Sequence, residues 1–293
     1  MPFVLTLIAA PDFADFPGFV TTLQQRLASM EKPVWLHPGH AVDLELSRSD
    51  RQAAEGFLQD QAVDYAFQAS DARRRKILIA DMDSTMIGQE CIDELAAEVG
   101  LKDKVAAITA AAMRGEIEFE SALRERVALL KGLPESVIDE VIRSRITLTP
   151  GGTTLVATMK KHGAYTALVS GGFTAFTTRV SSRIGFDENR ANTLNIADDV
   201  LTGTVREPIL GKQAKIEALQ EIAKRLGVSP QTAMAVGDGA NDLGMIKLAG
   251  LGVAIHAKPA VAAEADVRIE FNDLSALLYL QGYARTEWVT ENQ

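Results

Sequence analysis

The segment Ile77-Leu78-Ile79-Ala80-Asp81-Met82-Asp83-Ser84-Thr85 constrains the fold of this 293-residue chain more than any other. Its four consecutive apolar residues read as a strand buried on both faces, which then runs into a turn carrying two carboxylates two residues apart. Asp also opens turns by accepting from nearby backbone amides, so the pair alone allows a purely local role. The design recurs, however. Tyr165 to Val169 leads into Ser170-Gly171-Gly172, and Ala233 to Val236 leads into Gly237-Asp238-Gly239-Ala240-Asn241-Asp242. Three apolar strands ending in polar turns, with helix-periodic stretches between them, predict an open α/β sheet whose ligands lie at the carboxyl ends of the strands. Two neighbouring acids at such a place repel each other unless a cation or a shared proton compensates, and Mg²⁺ is the economical cation. Between the second and third strands lies Lys215, early in an amphipathic helix; by itself it reads as part of a solvated face.

In this order the four elements, Asp81 to Thr85, Ser170 to Gly172, Lys215 and Gly237 to Asp242, resemble the haloacid dehalogenase superfamily of phosphotransferases. The resemblance implies a Rossmann-like parallel core in which Asp81 is the nucleophile, taking the phosphoryl group as an aspartyl-phosphate, and Asp83 is the general acid and base. It implies Mg²⁺ held by the Asp81 carboxylate, the Asp83 backbone carbonyl and Asp238. Ser170 and the Gly171 amide would hold the transferring oxygens, and Gly171 and Gly172 would allow close backbone approach. Lys215 would be a fixed cation at the phosphate, and Asn241 would touch the phosphate or the nucleophile. Asp242 would orient Lys215 or support the metal.

Residues 89–149 form a long insertion between the first two core strands. Its periodicity predicts helices over Ile92 to Val99, Val105 to Met113, Phe119 to Leu130 and Val137 to Ile142, a small lid with Gly88 at its entry and Thr149-Pro150-Gly151 at its exit as hinges. The resemblance extends into the lid through Gln89 to Glu94, Met113-Arg114-Gly115 and Phe119 to Val127. Carried over, it implies that Glu90 accepts a substrate ammonium, that Arg126 grips a carboxylate, and that Met113 and Phe119 close the pocket above them. Such charges suit a zwitterion. The resemblance implies that the small-molecule substrate is O-phospho-L-serine, hydrolysed to serine and phosphate as the last step of serine biosynthesis. Alternatives are the same chemistry on another small phosphomonoester, transfer to a second alcohol, or a catalytically silent amino-acid sensor. Taken alone, Glu90 and Arg126 also fit ordinary helix-surface charge.

Residues 1–70 carry a βαββαβ order: Phe3 to Ala9, Phe16 to Met30, Val34 to His37, Val42 to Ser47, Arg51 to Gln59 and Asp64 to Gln68. This resembles an ACT-like α+β domain, which would bind an amino acid, or serve only to pack or to form a homodimer. Residues 71–293 then make up the catalytic unit, after a linker over Ala69 to Arg75. Arg73-Arg74-Arg75-Lys76 is the one basic run and reads as a solvated entry to the first core strand.

A net charge of −9 argues against a nucleic-acid partner, which needs a basic footprint. No apolar stretch approaches the length of a membrane span, and Phe3 to Ala10, with no basic residue before it and Asp12 and Asp15 after it, reads as a strand and not a leader. Cys91 is the single cysteine, so an intramolecular disulfide is impossible and a cytoplasmic location is expected. In its apolar helix stripe Cys91 reads as a packing residue, and the four histidines do not suggest a zinc site.

Overall fold

The computed structural model describes residues 3–27, 31–71, 73–113 and 116–290, and among these not the side chains of Arg48 and Met113. The chain opens with β1 (Phe3–Ala9), α1 (Phe16–Arg26), β2 (Val34–His37), β3 (Ala41–Leu46), α2 (Arg51–Leu58) and β4 (Val63–Ala69), the order anticipated from the sequence. The strands form an antiparallel sheet in the order β2-β3-β1-β4. Alternation divides its faces. Leu5, Leu7, Val42 and Leu44 pack against Phe16, Val20, Leu23 and Leu58 of the two helices, whereas Ile8, Ala41 and Ala66 join the core of the second unit.

That second unit begins with β5 (Ile77–Ala80). The lid follows as α3 (Cys91–Glu98), α4 (Lys102–Met113), α5 (Phe119–Ala128) and α6 (Ser136–Ser144), close to the four anticipated helices. Then come α7 (Gly152–Lys161), β6 (Tyr165–Phe173), α8 (Thr174–Ile184), β7 (Glu188–Asn192), β8 (Leu194–Ala197), β9 (Val200–Val205), α9 (Lys212–Leu226), β10 (Ala233–Gly237), α10 (Leu243–Leu248), β11 (Leu251–Ile255), α11 (Pro259–Ala262), β12 (Val267–Ile269) and α12 (Ala276–Leu280). Six strands pair in parallel in the order β12-β11-β10-β5-β6-β7. Both faces of β5 are buried: Leu78 and Ala80 face the cluster that includes α7, α8 and α12, and Ile77 and Ile79 face that of α9 and α10.

From β5 the chain order runs to β6 and β7 on one side and to β10, β11 and β12 on the other, which leaves a crevice at the strand ends where the order reverses. Ala80 pairs with both Leu168 and Val236, so the turns after β5, β6 and β10 emerge at one level. The lid rises beside them on a two-stranded stem. Ile87 bridges Leu148, Gly88 N–H donates to the Thr147 carbonyl at 3.1 Å, and Thr149 N–H donates to the Met86 carbonyl at 3.0 Å. The β8–β9 hairpin meets the lid from the far side, with Leu201 exchanging backbone hydrogen bonds with Gly132 and Leu133.

The basic run corrects the sequence reading. Arg74 and Lys76 are exposed, but Arg73 is only 9% exposed. Its guanidinium donates to both oxygens of Asp43 (2.7 and 3.2 Å) and to the carbonyls of Tyr279 and Leu280, while Thr6 Oγ1 donates to Asp43 Oδ1 at 2.7 Å. The segment expected to be a linker is therefore tied into the seam between the two sheets. Asp64 ties the same seam, accepting from the backbone N–H groups of Glu270 and Asn272.

Candidate active site

The turn after β5 departs from regular geometry at Ser84, whose φ is 54°. A non-glycine residue at positive φ is held there by its surroundings. Ser84 N–H donates to the Gln89 carbonyl and its hydroxyl donates to Glu90 Oε1 at 2.7 Å, so this one residue joins the turn to the root of the lid. The bend sends Asp81 and Asp83 in different directions. Lys215 Nζ lies 2.6 Å from Asp81 Oδ1 and 2.6 Å from Asp242 Oδ1. The Asp83 carboxylate instead accepts from Cys91 N–H at 2.9 Å and from Ser170 Oγ at 3.3 Å.

Of the expected site residues, Asp81, Asp83, Ser170, Gly171, Lys215 and Asp238 meet at the ends of β5, β6 and β10. Asp238 accepts from Thr85 Oγ1 at 3.0 Å. Asp242 contacts Lys215, as one of its two anticipated roles requires, and its second oxygen accepts from Gly239 N–H at 3.0 Å. Asn241 lies on the same loop with its Oδ1 turned back over Gly239. From the lid, the Phe119 ring sits over Gly171 and Gly211; a Cβ on Gly171 would stand 3.3 Å from Phe119 Cζ. Arg126 is held by the Ala122 carbonyl and by Thr109 Oγ1, and burial lowers its pKa against the opposing pull of Asp93, Glu90 and Asp83. Glu90 is exposed at the start of α3. The Met113 backbone ends α4, and its side chain, like Arg114 and Gly115, lies outside the described residues.

Charge in the site is unbalanced. Burial works against the charge on Lys215, but Asp242 and Asp81 outweigh it and keep the ammonium protonated. Burial, reinforced by the like charge of Asp242, pushes the Asp81 carboxyl well up despite the lysine. Burial and the nearby Glu90 raise Asp83 to about 6, and burial with Asp242 raises Asp238 to about 6. Lys215 is the buried lysine of the group, and Lys258 offsets only part of the charge on Asp238, so the carboxylates remain in excess. Oxygens of Asp81, Asp238 and Asp242 all lie within 4.8 Å of one another. An all-oxygen donor set with surplus negative charge fits a hard divalent metal ion. Because Asp242 is already engaged by Lys215 and Gly239, Asp81 and Asp238 are the side chains with capacity to spare.

Close approach also calls for glycine after β6, where a Cβ on Gly172 would lie 2.8 Å from Asp83 Oδ2. Sequence reasoning missed three supports. Asn192 at the end of β7 donates to the Gly171 carbonyl at 2.8 Å and accepts from Leu210 N–H at 2.7 Å, fixing the loop after β6. No motif marks it. Thr85 was visible within the Asp81 to Thr85 element, but its bond to Asp238 spans 153 positions. The strand expected to stop at Val169 continues to Phe173, after a register shift that leaves Ser170 and Gly171 out of regular pairing with β7. Cys91 packs as anticipated: it is 1% exposed, and burial and Asp83 push its thiol well up, the reverse of a nucleophile's requirement.

Residues 78–247 match the model of the haloacid dehalogenase-like hydrolases, and the chain belongs to that family. Within the family, it is 50% identical over 210 residues to a phosphoserine phosphatase of Albidiferax ferrireducens, covering 70% of this chain and 89% of the relative. A phosphoserine phosphatase of Streptomyces coelicolor is 42% identical over 257 residues, 86% of this chain; the chain spans 62% of that relative's length. Among solved structures, a hydrolase of the same family from Salmonella enterica superposes with a TM-score of 0.85 at 31% identity, covering 95% of this chain and 98% of the other. The match therefore extends through both sheets. Among the described residues, no helix is long and apolar enough to cross a membrane.

Proposed function

We propose that this protein is a Mg²⁺-dependent phosphatase that hydrolyses O-phospho-L-serine to L-serine and phosphate, closing serine biosynthesis in the cytoplasm. The observation that carries the reading is the stacking of two charge patterns: a carboxylate cluster with one buried lysine at the strand ends, and Glu90 and Arg126 on the lid beside it. The first suits a phosphate and the second an amino acid's ammonium and carboxylate. The names of the relatives support the same substrate.

In this reading Asp81 attacks phosphorus and forms an aspartyl-phosphate as the ester oxygen departs. Asp83 gives its proton to that oxygen; a carboxyl raised to about 6 by burial and Glu90 retains enough of its protonated form near neutrality to do so. Once serine has left, ionised Asp83 takes a proton from water, and the oxygen of that water displaces phosphate from Asp81. Asp83 is poised by Cys91 N–H and Ser170 Oγ. Ser170, the Gly171 amide and Asn241 bind phosphoryl oxygens. Lys215, fixed by Asp242, supplies constant positive charge. Asp81, the Asp83 backbone carbonyl and Asp238 would hold Mg²⁺, which neutralises the charge of the phosphate and lets a carboxylate approach it. On the lid, Glu90 receives the ammonium, Arg126 the carboxylate, and Phe119 covers the pocket. Residues 1–70 are read as an ACT-like domain, with the open edge at β2, where Val34 is 61% exposed, as its surface for a homodimer.

Phosphate release from phosphoserine tests the proposal. Release is expected with Mg²⁺, to cease with a chelator and to return when Mg²⁺ is restored; no release under any of these conditions rejects it. Arg126→Ala should raise KM for phosphoserine by about 30-fold or more, the ~2 kcal/mol lower end for a desolvated charge pair. An unchanged KM would remove Arg126 from the substrate site.

A further inference from the structure

A second cavity, of about 450 Å³, opens at the seam between the two sheets, away from the phosphatase site. Phe13, His37, His40, Tyr279 and Trp288 supply its aromatic walls, and Arg285 stands at its edge. The walls are ordered by their own contacts. His37 Nδ1 is 2.9 Å from the Tyr279 hydroxyl, the two histidine rings meet edge to face, and Tyr279 packs on Trp288 at 4.7 Å between ring centroids. Burial lowers the pKa of both histidines, so near neutrality they present uncharged rings. That leaves Arg285 as the cation. Its guanidinium lies 4.5 Å above the Trp288 ring and has no ion-pair or hydrogen-bond partner among the described residues. The buried Trp288 indole N–H also lacks an acceptor among them.

A guanidinium held over an indole ring with its N–H groups unpaired among the described residues can take a carboxylate through two parallel bonds. Flat aromatic walls favour a flat apolar body behind that carboxylate. Ser275, also on the wall, links the cavity to the lid. Its neighbour Leu274 donates N–H to the Pro150 carbonyl at 3.2 Å, and Asp273 Oδ1 accepts from Ser275 N–H at 2.8 Å. Gly151, at φ +79°, is wedged so closely against this turn that a Cβ there would lie 2.3 Å from Ser275 N. Pro150 and Gly151 form the exit of the lid.

We propose that the seam cavity is a binding site for a small aromatic carboxylate, seated on Arg285 between the aromatic walls, and that its occupancy stiffens the lid exit through Asp273 to Ser275. The full-length protein is titrated with phenylacetate and indole-3-acetate, and with the neutral amides of both, by calorimetry. The carboxylates should saturate and bind at least about tenfold more tightly than the amides, a ~1.4 kcal/mol preference. Arg285→Gln, at an exposed position outside the catalytic machinery, should erase that preference. Hydrogen exchange over residues 149–152 should slow when the carboxylate is bound. Absence of saturation, equal affinity for acid and amide, or an acid preference that survives Arg285→Gln would each overturn the site; binding with unchanged exchange over 149–152 would overturn the link to the lid.

Discussion

At the seam, Arg73 meets Asp43 in a buried pair whose polar atoms are shared with Thr6 and two backbone carbonyls. At the strand ends, Lys215 faces Asp81 and Asp242 with Asp238 close by, and the acids outnumber the base. Both groups are withdrawn from water, yet only the first is electrically closed. The seam network is a finished structural joint, while the site keeps carboxyl groups at raised pKa in surroundings that favour their neutral forms unless positive charge arrives. Buried charge is therefore diagnostic only once its sum is taken.

The largest effect that could break this contrast is on turnover. Asp81→Asn should reduce phosphate release by at least about 10³-fold, since it removes the proposed nucleophile, yet leave the metal-free protein no less stable because it relieves surplus negative charge. Steady-state kinetics paired with thermal unfolding would show both; a fully active variant would end the covalent route. Next in size, Arg73→Ala should cost about 3–5 kcal/mol of stability by stranding the buried Asp43 carboxylate, with kcat unchanged in the folded fraction. Denaturant unfolding measures this. The double variant Arg73→Met with Asp43→Leu should recover most of the loss, and failure to do so would mean that the pair does more than cancel its own burial.

The smallest effect sharpens the comparison through pH. Asp238 has its carboxyl raised to about 6 in the folded protein, above the ordinary carboxylate value, so the native state holds this proton more tightly than the unfolded chain. Its favourable contribution is fully present below about pH 4 and is lost as pH rises through about 6. Asp238→Asn should therefore stabilise the metal-free protein by about 1–3 kcal/mol at pH 7.5 and by much less at pH 4.5, a figure kept low because Asp238 is partly exposed. Equal effects at both pH values would show that Asp238 carries no such strain.

The two clusters also differ in how far the sequence disclosed them. Asp81, Asp83, Ser170 and Asp238 each follow an apolar strand, so their turns could be read as lying at one end of a sheet, whereas Lys215 by itself read as part of a solvated helix face and joined them only through the family resemblance. The parallel sheet and the four lid helices were legible for the same reason, from runs and periodicity. The seam was not. Asp43 alternates with Val42 and Leu44 in β3, a pattern that reads as solvent-facing, and Arg73 sits in a basic run that reads the same way. Both residues face a second sheet that local pattern does not reveal. Asn192 was hidden by the opposite problem: a single amide at the end of a short strand has no periodic context, and its work on the Gly171 and Leu210 backbones emerges only from tertiary contact.

The paired stem at Met86 to Gly88 and Thr147 to Thr149 has an evolutionary consequence. Because the chain leaves and rejoins the sheet through neighbouring threads already hydrogen-bonded to each other, the entropy of closing the intervening loop is largely met at its neck and depends only weakly on what lies beyond. The inserted helices can thus be lengthened, shortened or exchanged as a cassette while the strand ends below keep their alignment. Selection for new ligands can act on one part of the polypeptide without reopening the chemistry of the other.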